Sequence, residues 1–195
     1  MNSPNQIKKN IINWISSGNS IYDYQDSDVM IDELCFLERR NRADLVYANG
    51  KLTAFEIKSK ADSLIRWESQ CSAYLKVFDS VWLCCHNKHA LRSLNITPKE
   101  VGIIIVDDTK TGLAILREAK KNNKINAFYL LDLLWRSELD ELCIENNLKI
   151  IRKEKIKEVR TRVSYEIPLD IIRNKVLQKL KYRYGNKTNL MHSSY

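Results

Sequence analysis

The sequence predicts a mixed central sheet covered by helices, an arrangement of α/β or α+β type. Short apolar runs typical of buried strands occur between segments whose apolar residues recur every three or four positions. The 195 residues include only 5 Gly and 3 Pro, too few for long flexible linkers. No apolar run approaches the ~18 residues of a membrane span. We therefore expect a globular chain without a membrane segment.

The first half of the chain predicts a helix, a hairpin and a second helix. Helical spacing of isoleucines marks residues 5–17. Two strands, 42–47 and 51–57, flank Asn49-Gly50, which is a strong hairpin signal. Residues 61–78 carry an apolar face at helical spacing, so we expect the second helix there.

The middle of the chain predicts more strands and the strongest helix. Residues 81–85 and 101–106 are apolar runs of the buried-strand type, and 111–116 indicates another strand. Leucines at helical spacing predict one continuous helix over 127–143. A basic stretch over 149–162 then leads to a last helix over 169–182, entered after a proline.

The excess positive charge lies at the C-terminus. The chain has a formal net charge of +8, and its last 45 residues hold 12 Lys/Arg against 4 Asp/Glu. We expect a core over 1–148 and a basic, partly helical extension over 149–195 that packs on it. A basic surface suits a polyanion such as nucleic acid, although a solvated charged face explains the composition equally well.

Three cations of the last helix are candidates for nucleic-acid binding. They alternate with tyrosines, a pattern that suits backbone tracking with base stacking and equally suits a frayed amphipathic terminus. The three residues are Lys179, Lys181 and Arg183.

The cysteines indicate a reducing compartment. They are odd in number and lie mostly in apolar runs, so we expect reduced, buried thiols in a cytoplasmic protein. They are Cys35, Cys71, Cys84, Cys85 and Cys143. Neighbouring strand residues point to opposite faces, so Cys84 and Cys85 do not predict a zinc site.

The chemistry is concentrated in the hairpin and the helix that follows it. Asp44 lies in the first strand, and Glu56 and Lys58 end the second, where positions i and i+2 share a face. A salt-bridged strand end that runs into solvent would explain Glu56 and Lys58 by themselves. The next helix adds Gln70 and Tyr74, one turn apart.

The combined pattern, Asp44 … Glu56-x-Lys58 followed by Gln70-x-x-x-Tyr74, resembles the PD-(D/E)XK nuclease superfamily. The Gln-x-x-x-Tyr helix resembles its RecB-like branch. Further sequence segments within residues 30–142 resemble a family of small, stand-alone bacterial and phage proteins assigned to that superfamily. The resemblance implies an α/β, restriction-endonuclease-like core.

The resemblance also implies a metal site. Asp44 and Glu56 would bind Mg²⁺ or Mn²⁺ together with the main-chain carbonyl of Ile57, since hard cations prefer oxygen ligands. A further acid before the first strand is expected in many members. The candidate is Glu33, with Asp32 and Glu38 as rivals.

The remaining roles concern the attacking water and the substrate. Lys58 would orient the water, or help to deprotonate it, and offset negative charge. By resemblance, Gln70 and Tyr74 line the site. Arg66 would hold a phosphate, and Lys60 is a further nucleic-acid-binding candidate. Helical spacing predicts one polar stripe formed by Asp62, Arg66, Gln70 and Tyr74.

We therefore expect a Mg²⁺-dependent nuclease, with DNA favoured over RNA as its substrate. Two alternatives stay open: a nucleic-acid-binding protein of the same fold that is idle or active only in a complex, and an RNA-directed nuclease. A homodimer and an unknown protein partner are both compatible with the sequence.

The hairpin loop decides whether the two carboxylates can share a metal. A two-residue loop would pair Asp44 with Phe55 and place Asp44 and Glu56 on opposite faces. A three-residue loop, 48–50, would pair Asp44 with Ala54 and place the acids on one face. That loop requires Gly50 to adopt a positive φ.

Overall fold

The computed structural model describes residues 3–18, 20–107 and 112–192, with side chains up to 185. Its strands are β1 (Val29–Phe36), β2 (Asn41–Ala48), β3 (Leu52–Lys58), β4 (Ser80–His86), β5 (Gly102–Val106) and β6 (Leu113–Arg117). Its helices are α1 (Pro4–Ser16), α2 (Trp67–Leu75), α3 (Ala90–Ile96), α4 (Ala127–Leu130), α5 (Arg136–Glu145), α6 (Ile156–Glu166) and α7 (Leu169–His192).

The six strands form one mixed sheet whose spatial order equals their order in the chain. β1, β2 and β3 are antiparallel, β3, β4 and β5 are parallel, and β6 is antiparallel to β5. Helices α2 and α3 make the crossovers that parallel neighbours require. The predicted α/β class, with a mixed sheet flanked by helices and a helical C-terminal region, is confirmed.

The two faces of the sheet pack against different partners. One face carries the larger core, which includes residues of α2, α4, α5, α6 and α7. The other face is covered by α1 through Ile7, Ile11 and Ile15, which pack with the buried rings of Tyr22 and Trp82. Because each strand sends alternate side chains to the two faces, both cores draw on the same strands.

Two predicted helices differ from the observed ones. The helix expected over 61–78 begins only at Trp67, because the Asp62 carboxylate accepts hydrogen bonds from the Ser59 amide and hydroxyl, at 2.8 and 2.6 Å, and stabilises a turn. The continuous helix expected over 127–143 is divided into α4, a 3-10 turn and α5. The division falls at Trp135, whose backbone is extended and whose amide donates to Glu138 Oε2 at 2.8 Å.

The C-terminal helices share the main core. The basic stretch over 149–162 contains most of α6, and α7 extends ten residues beyond the predicted end at 182. Buried residues of both helices belong to the cluster that covers the sheet, and they are Val159, Val163, Ile172, Val176 and Leu180. Helix α6 and the part of α7 up to Leu180 therefore pack on the same core.

Four of the five cysteines are buried thiols, but Cys35 is exposed, contrary to the prediction. It lies between the inward-facing Leu34 and Phe36, so strand alternation directs it outward. Cys84 and Cys85 belong to the cores on opposite faces, as predicted. Within the described ranges, no helix is both long and apolar enough to cross a membrane.

Candidate functional site

The β2–β3 hairpin places Asp44 and Glu56 on the same side of the sheet. Ala48 pairs with Leu52 and Leu45 with Phe55, so the register brings Asp44 level with Glu56. The loop has three residues, 49–51, and therefore lies one position later than predicted, so Asp44 is opposite Glu56 and not Ala54. Gly50 has the expected positive φ, +92°. Directly opposite residues share a face, and a loop with an odd number of residues makes Asp44 and Glu56 such a pair. The same-face prediction is therefore confirmed.

Glu56 is the centre of a buried polar cluster. Its Oε1 accepts from Lys58 Nζ at 2.5 Å and from Gln70 Nε2 at 2.8 Å. Lys58 also donates to Gln70 Oε1 at 3.0 Å, which closes a ring of three hydrogen bonds. Glu56 Oε2 accepts from the Tyr74 hydroxyl at 2.5 Å. Since Glu56 is 3% and Lys58 7% exposed, each charge depends on these partners rather than on water.

The helix α2 supplies two of these partners because Gln70 and Tyr74 lie one turn apart on its sheet-facing side. Burial, followed by the charge of Glu56 and its hydrogen bond, raises the pKa of Tyr74 well above its ordinary value. Tyr74 therefore stays protonated and acts as a hydrogen-bond donor to Glu56. The structure thus brings together Glu56, Lys58, Gln70 and Tyr74.

Asp44 stands at the edge of this cluster. Its Oδ2 accepts from the Ile57 amide at 2.7 Å, so its carboxylate lies beside β3. Burial and then the nearby charge of Glu56 raise the pKa of Asp44 to about 6, despite the opposing effects of the Ile57 amide and of Lys58. Two carboxylates on directly opposite residues form a site that favours additional positive charge.

The third predicted acid lies apart from the pair. Glu33 is level with Asp44 in the β1–β2 register, but its φ of 51° interrupts the ladder and its carboxylate pairs with Arg42 at 2.9 Å. The rivals are also engaged: Asp32 pairs with Lys8, and Glu38 with Arg160. No three Asp, Glu, His or Cys side chains in the described residues form a metal-holding group. Glu33 is thus paired with Arg42 rather than grouped with Asp44 and Glu56, and its role in a metal site stays a prediction.

The predicted polar stripe is only half realised. Asp62 lies in the turn after β3, where it bonds Ser59, and Arg66 is the exposed residue that precedes α2. Lys60 is exposed in the same turn, and its carbonyl accepts from Lys88. The early helix start expected from spacing alone was wrong, so only Gln70 and Tyr74 of the stripe reach the site.

The predicted nucleic-acid-binding cations of α7 contact acids of the fold. Lys179 pairs with Glu141 at 2.5 Å and Lys181 with Asp28 at 3.2 Å. Arg183 lies over the Trp135 ring, 4.6 Å from its centroid, and donates to the Leu133 carbonyl at 2.5 Å. These three side chains therefore attach α7 to the core, and any role in binding remains a prediction.

A second ionic group was not anticipated from the sequence. Arg160 of α6 is 5% exposed and pairs with Asp132 and, at 3.4 Å, with Glu38 of the β1–β2 turn. Asp132 also accepts from the Glu38 amide at 2.6 Å. Asp132 is 28 positions and Glu38 is 122 positions from Arg160 in the chain. No local motif signals a contact between such distant segments.

Comparison with known proteins adds a family. Residues 2–194 match the family described as Bacteriophage P4 protein cII. The chain belongs to this family. Protein cII of Enterobacteria phage P4 is 26% identical over 186 residues, which span 94% of this chain and 69% of that protein. Among solved structures, the SPO1766 protein of unknown function from Silicibacter pomeroyi has a TM-score of 0.44 and 16% identity, covering 78% of this chain and 98% of that one. The name of the P4 cII family states no chemical activity.

Proposed function

We propose that the chain is a metal-dependent nuclease of PD-(D/E)XK type that hydrolyses phosphodiester bonds, with DNA as the favoured substrate, in the cytoplasm. One observation carries the proposal: Asp44 and Glu56 lie level on neighbouring strands, and Lys58, Gln70 and Tyr74 converge on Glu56. The sequence resemblance supplies the reaction class, and the four buried free thiols support a reducing compartment.

The donor set fits Mg²⁺ or Mn²⁺. Asp44 and Glu56 provide hard carboxylate oxygens on directly opposite residues of neighbouring strands. Burial and then the charge of Glu56 raise the pKa of Asp44, and a bound cation would favour its charged form. Asp44, Glu56 and the carbonyl of Ile57 would hold the ion. When bound, such an ion supplies Lewis-acid activation of water and of the phosphoryl group.

The chain's own residues position the reaction. The Lys58 ammonium is held by two acceptors, so it can orient a water and offset charge that develops on phosphoryl oxygens. Gln70 bridges Lys58 and Glu56 and fixes their relative placement. Tyr74 holds the other Glu56 oxygen and so limits rotation of the carboxylate.

Cleavage assays test the proposal. The chain is incubated with single- and double-stranded DNA and RNA, in Mg²⁺, Mn²⁺ or chelator. Asp44→Asn, Glu56→Gln and Lys58→Met each remove one charge with little change of shape. We expect each to lower cleavage roughly 100-fold or more, and the chelator to abolish it.

Glu68→Gln is the matched control, because Glu68 is an exposed acid in the first turn of α2. It should cut like the parent. Parent cleavage that persists in chelator, or that all three site variants retain, would rule out this site. Circular dichroism and thermal melts establish that each variant is folded.

A second candidate is a nucleic-acid-binding protein with an idle or complex-activated site. The observation that favours it is the full engagement of Glu56, whose two oxygens accept three hydrogen bonds while only 3% of the residue is exposed. This alternative predicts that the parent binds nucleic acid in chelator and does not cut under any of the metal conditions.

A further inference from the structure

A cleft of about 430 Å³ lies beside the candidate site and uses a different face of the same helix. Ser69, Ser72 and Lys76 of α2 form one wall, while Gln70 and Tyr74 point from that helix toward Glu56. Asn41, three residues before Asp44 in β2, also lines the cleft. The cleft and the two carboxylates are therefore adjacent.

The cleft combines exposed cations with aromatic rings. Arg40, whose side chain is 78% exposed, Lys76 and Lys157 are the cations. The half-buried rings of Phe128 and Tyr129 contact each other edge to face, with centroids 5.4 Å apart. Lys76 Nζ lies 5.3 Å from the Tyr129 centroid, so a cation and a ring are available at the same place.

The one acid among the described lining residues is already neutralised. Glu38 pairs with Arg40 at 3.3 Å and with the buried Arg160 at 3.4 Å. In contrast, no acidic side chain in the described part of the chain pairs with Lys76 or Lys157, and both are exposed. With Arg40 paired to Glu38, Lys76 and Lys157 supply the net positive charge that the cleft presents to a ligand.

The turn that carries Arg40 is held in an unusual conformation. Leu37, Glu38 and Arg39 all have left-handed backbones, with φ of 52°, 58° and 63°, although none is glycine. The Glu38 amide is fixed by Asp132, and Arg160 joins Asp132 to the Phe128 ring, whose centroid lies 5.2 Å from the guanidinium carbon. A strained segment that surrounding contacts hold in place is common at binding sites.

We infer that this cleft binds single-stranded nucleic acid, with bases against Phe128 and Tyr129 and phosphates against Arg40, Lys76 and Lys157, and directs the strand toward Asp44. The path to Asp44 rests on the proposed function, whereas the binding itself does not. Rings that accept stacked bases and cations that track a backbone are the chemistry of single-strand recognition. Bases of a duplex are paired and stacked on one another, so they reach such rings only by leaving the helix.

Binding is measured by fluorescence anisotropy in chelator, so that no cleavage interferes. The probes are a labelled 12-nucleotide DNA strand, the RNA of the same sequence and the corresponding DNA duplex. We expect tighter binding to the single strands, and comparison of the DNA and RNA arms gives the preferred sugar. Lys76→Ala/Lys157→Ala should weaken single-strand binding about tenfold and reduce the slope of log K against log salt by roughly 1.4. Tyr129→Ala should also weaken it about tenfold.

The matched control is Lys149→Ala/Lys153→Ala, which removes the same charge from exposed positions between α5 and α6. It should bind like the parent. Equal weakening by the control, unchanged binding by the cleft variants, or preference for the duplex would overturn the inference. If the cleft variants lose binding but the parent never cuts, the proposed nuclease fails and the cleft stands. If Asp44-dependent cutting survives with unchanged binding in the cleft variants, the cleft fails and the nuclease stands.

Discussion

The helix α7 and the cleft beside α2 both present a group of cations, but the fold uses the two groups differently. On α7, Lys175, Lys179 and Lys181 pair with acids of α5 or with Asp28. In the cleft, Lys76 and Lys157 are exposed without an acidic partner in the described residues. Among the cations of the basic C-terminal part, those of α7 thus attach the helix to the core, whereas Lys157 of α6 lines the cleft. Lys76 and Lys157, from separate segments, together with the largely exposed Arg40 form the better candidate interface.

The largest effect is expected from Arg160, a buried cation that contacts Glu38 and Phe128 of the cleft and, like the cations of α7, is paired with acids of the fold. Arg160→Met should lower the free energy of unfolding by about 3 kcal/mol, because it leaves the nearly buried carboxylate of Asp132 without its ion-pair partner. Urea denaturation measures this change in the free energy of unfolding. Arg152→Met, an exposed arginine before α6, is the control and should change little. A loss of stability no larger than in the control would show that Arg160 does not anchor the β1–β2 turn.

A smaller loss of stability should follow from Arg183→Met. The substitution removes the hydrogen bond to Leu133 and the contact with the Trp135 ring, for a cost of about 2 kcal/mol. Single-strand binding in chelator should stay within about twofold of the parent. Arg92→Met, exposed on α3, is the control. Strong loss of binding with unchanged stability would reverse the comparison and assign α7 to the interface.

The smallest effect concerns acid stability. Hydrogen bonds from Lys175 and then Lys179 lower the pKa of Glu141 below its ordinary 4.5. A carboxyl whose folded pKa is depressed stabilises the protein above pH 4.5 and loses that contribution as the pH falls through the folded pKa. Glu141→Gln should therefore lower the melting temperature slightly at pH 7.

The two melting curves should converge as the pH falls below 4.5. A constant difference at all pH values would show that Glu141 contributes through packing rather than charge. Glu118→Gln, an exposed acid after β6, serves as the control because its substitution should leave the pH dependence unchanged.

Local periodicity predicted most of the fold and the grouping at Glu56. Glu56 and Lys58, at i and i+2 on β3, lie on one face, and Gln70 and Tyr74, at i and i+4 on α2, both contact Glu56, as their spacings predict. The helix starts were less predictable, because the side chain of Asp62 bonds Ser59 and competes with helix formation before Trp67. The three-residue loop of the hairpin was anticipated, but its position was wrong by one residue.

The cleft and the ionic group around Arg160 could not be predicted from the sequence. Their members come from the β1–β2 turn, α2, α4 and α6, which lie far apart in the chain. Charge counts also did not show which cations are paired, since Glu141 of α5, which pairs with Lys175 of α7, is 34 positions away in the chain. Pairing between distant segments depends on packing that no local pattern encodes.

The order of the strands also has a consequence for how the chain folds. Each strand pairs with the one that precedes it, so every step of sheet formation closes a loop between consecutive elements, at a modest entropic cost. All residues of the candidate site lie between β2 and α2, within one early and continuous part of the chain. The helix α7 packs on β1, more than 130 positions earlier, and this docking closes the longest loop. We therefore expect α7 to join last, onto a sheet that is already assembled.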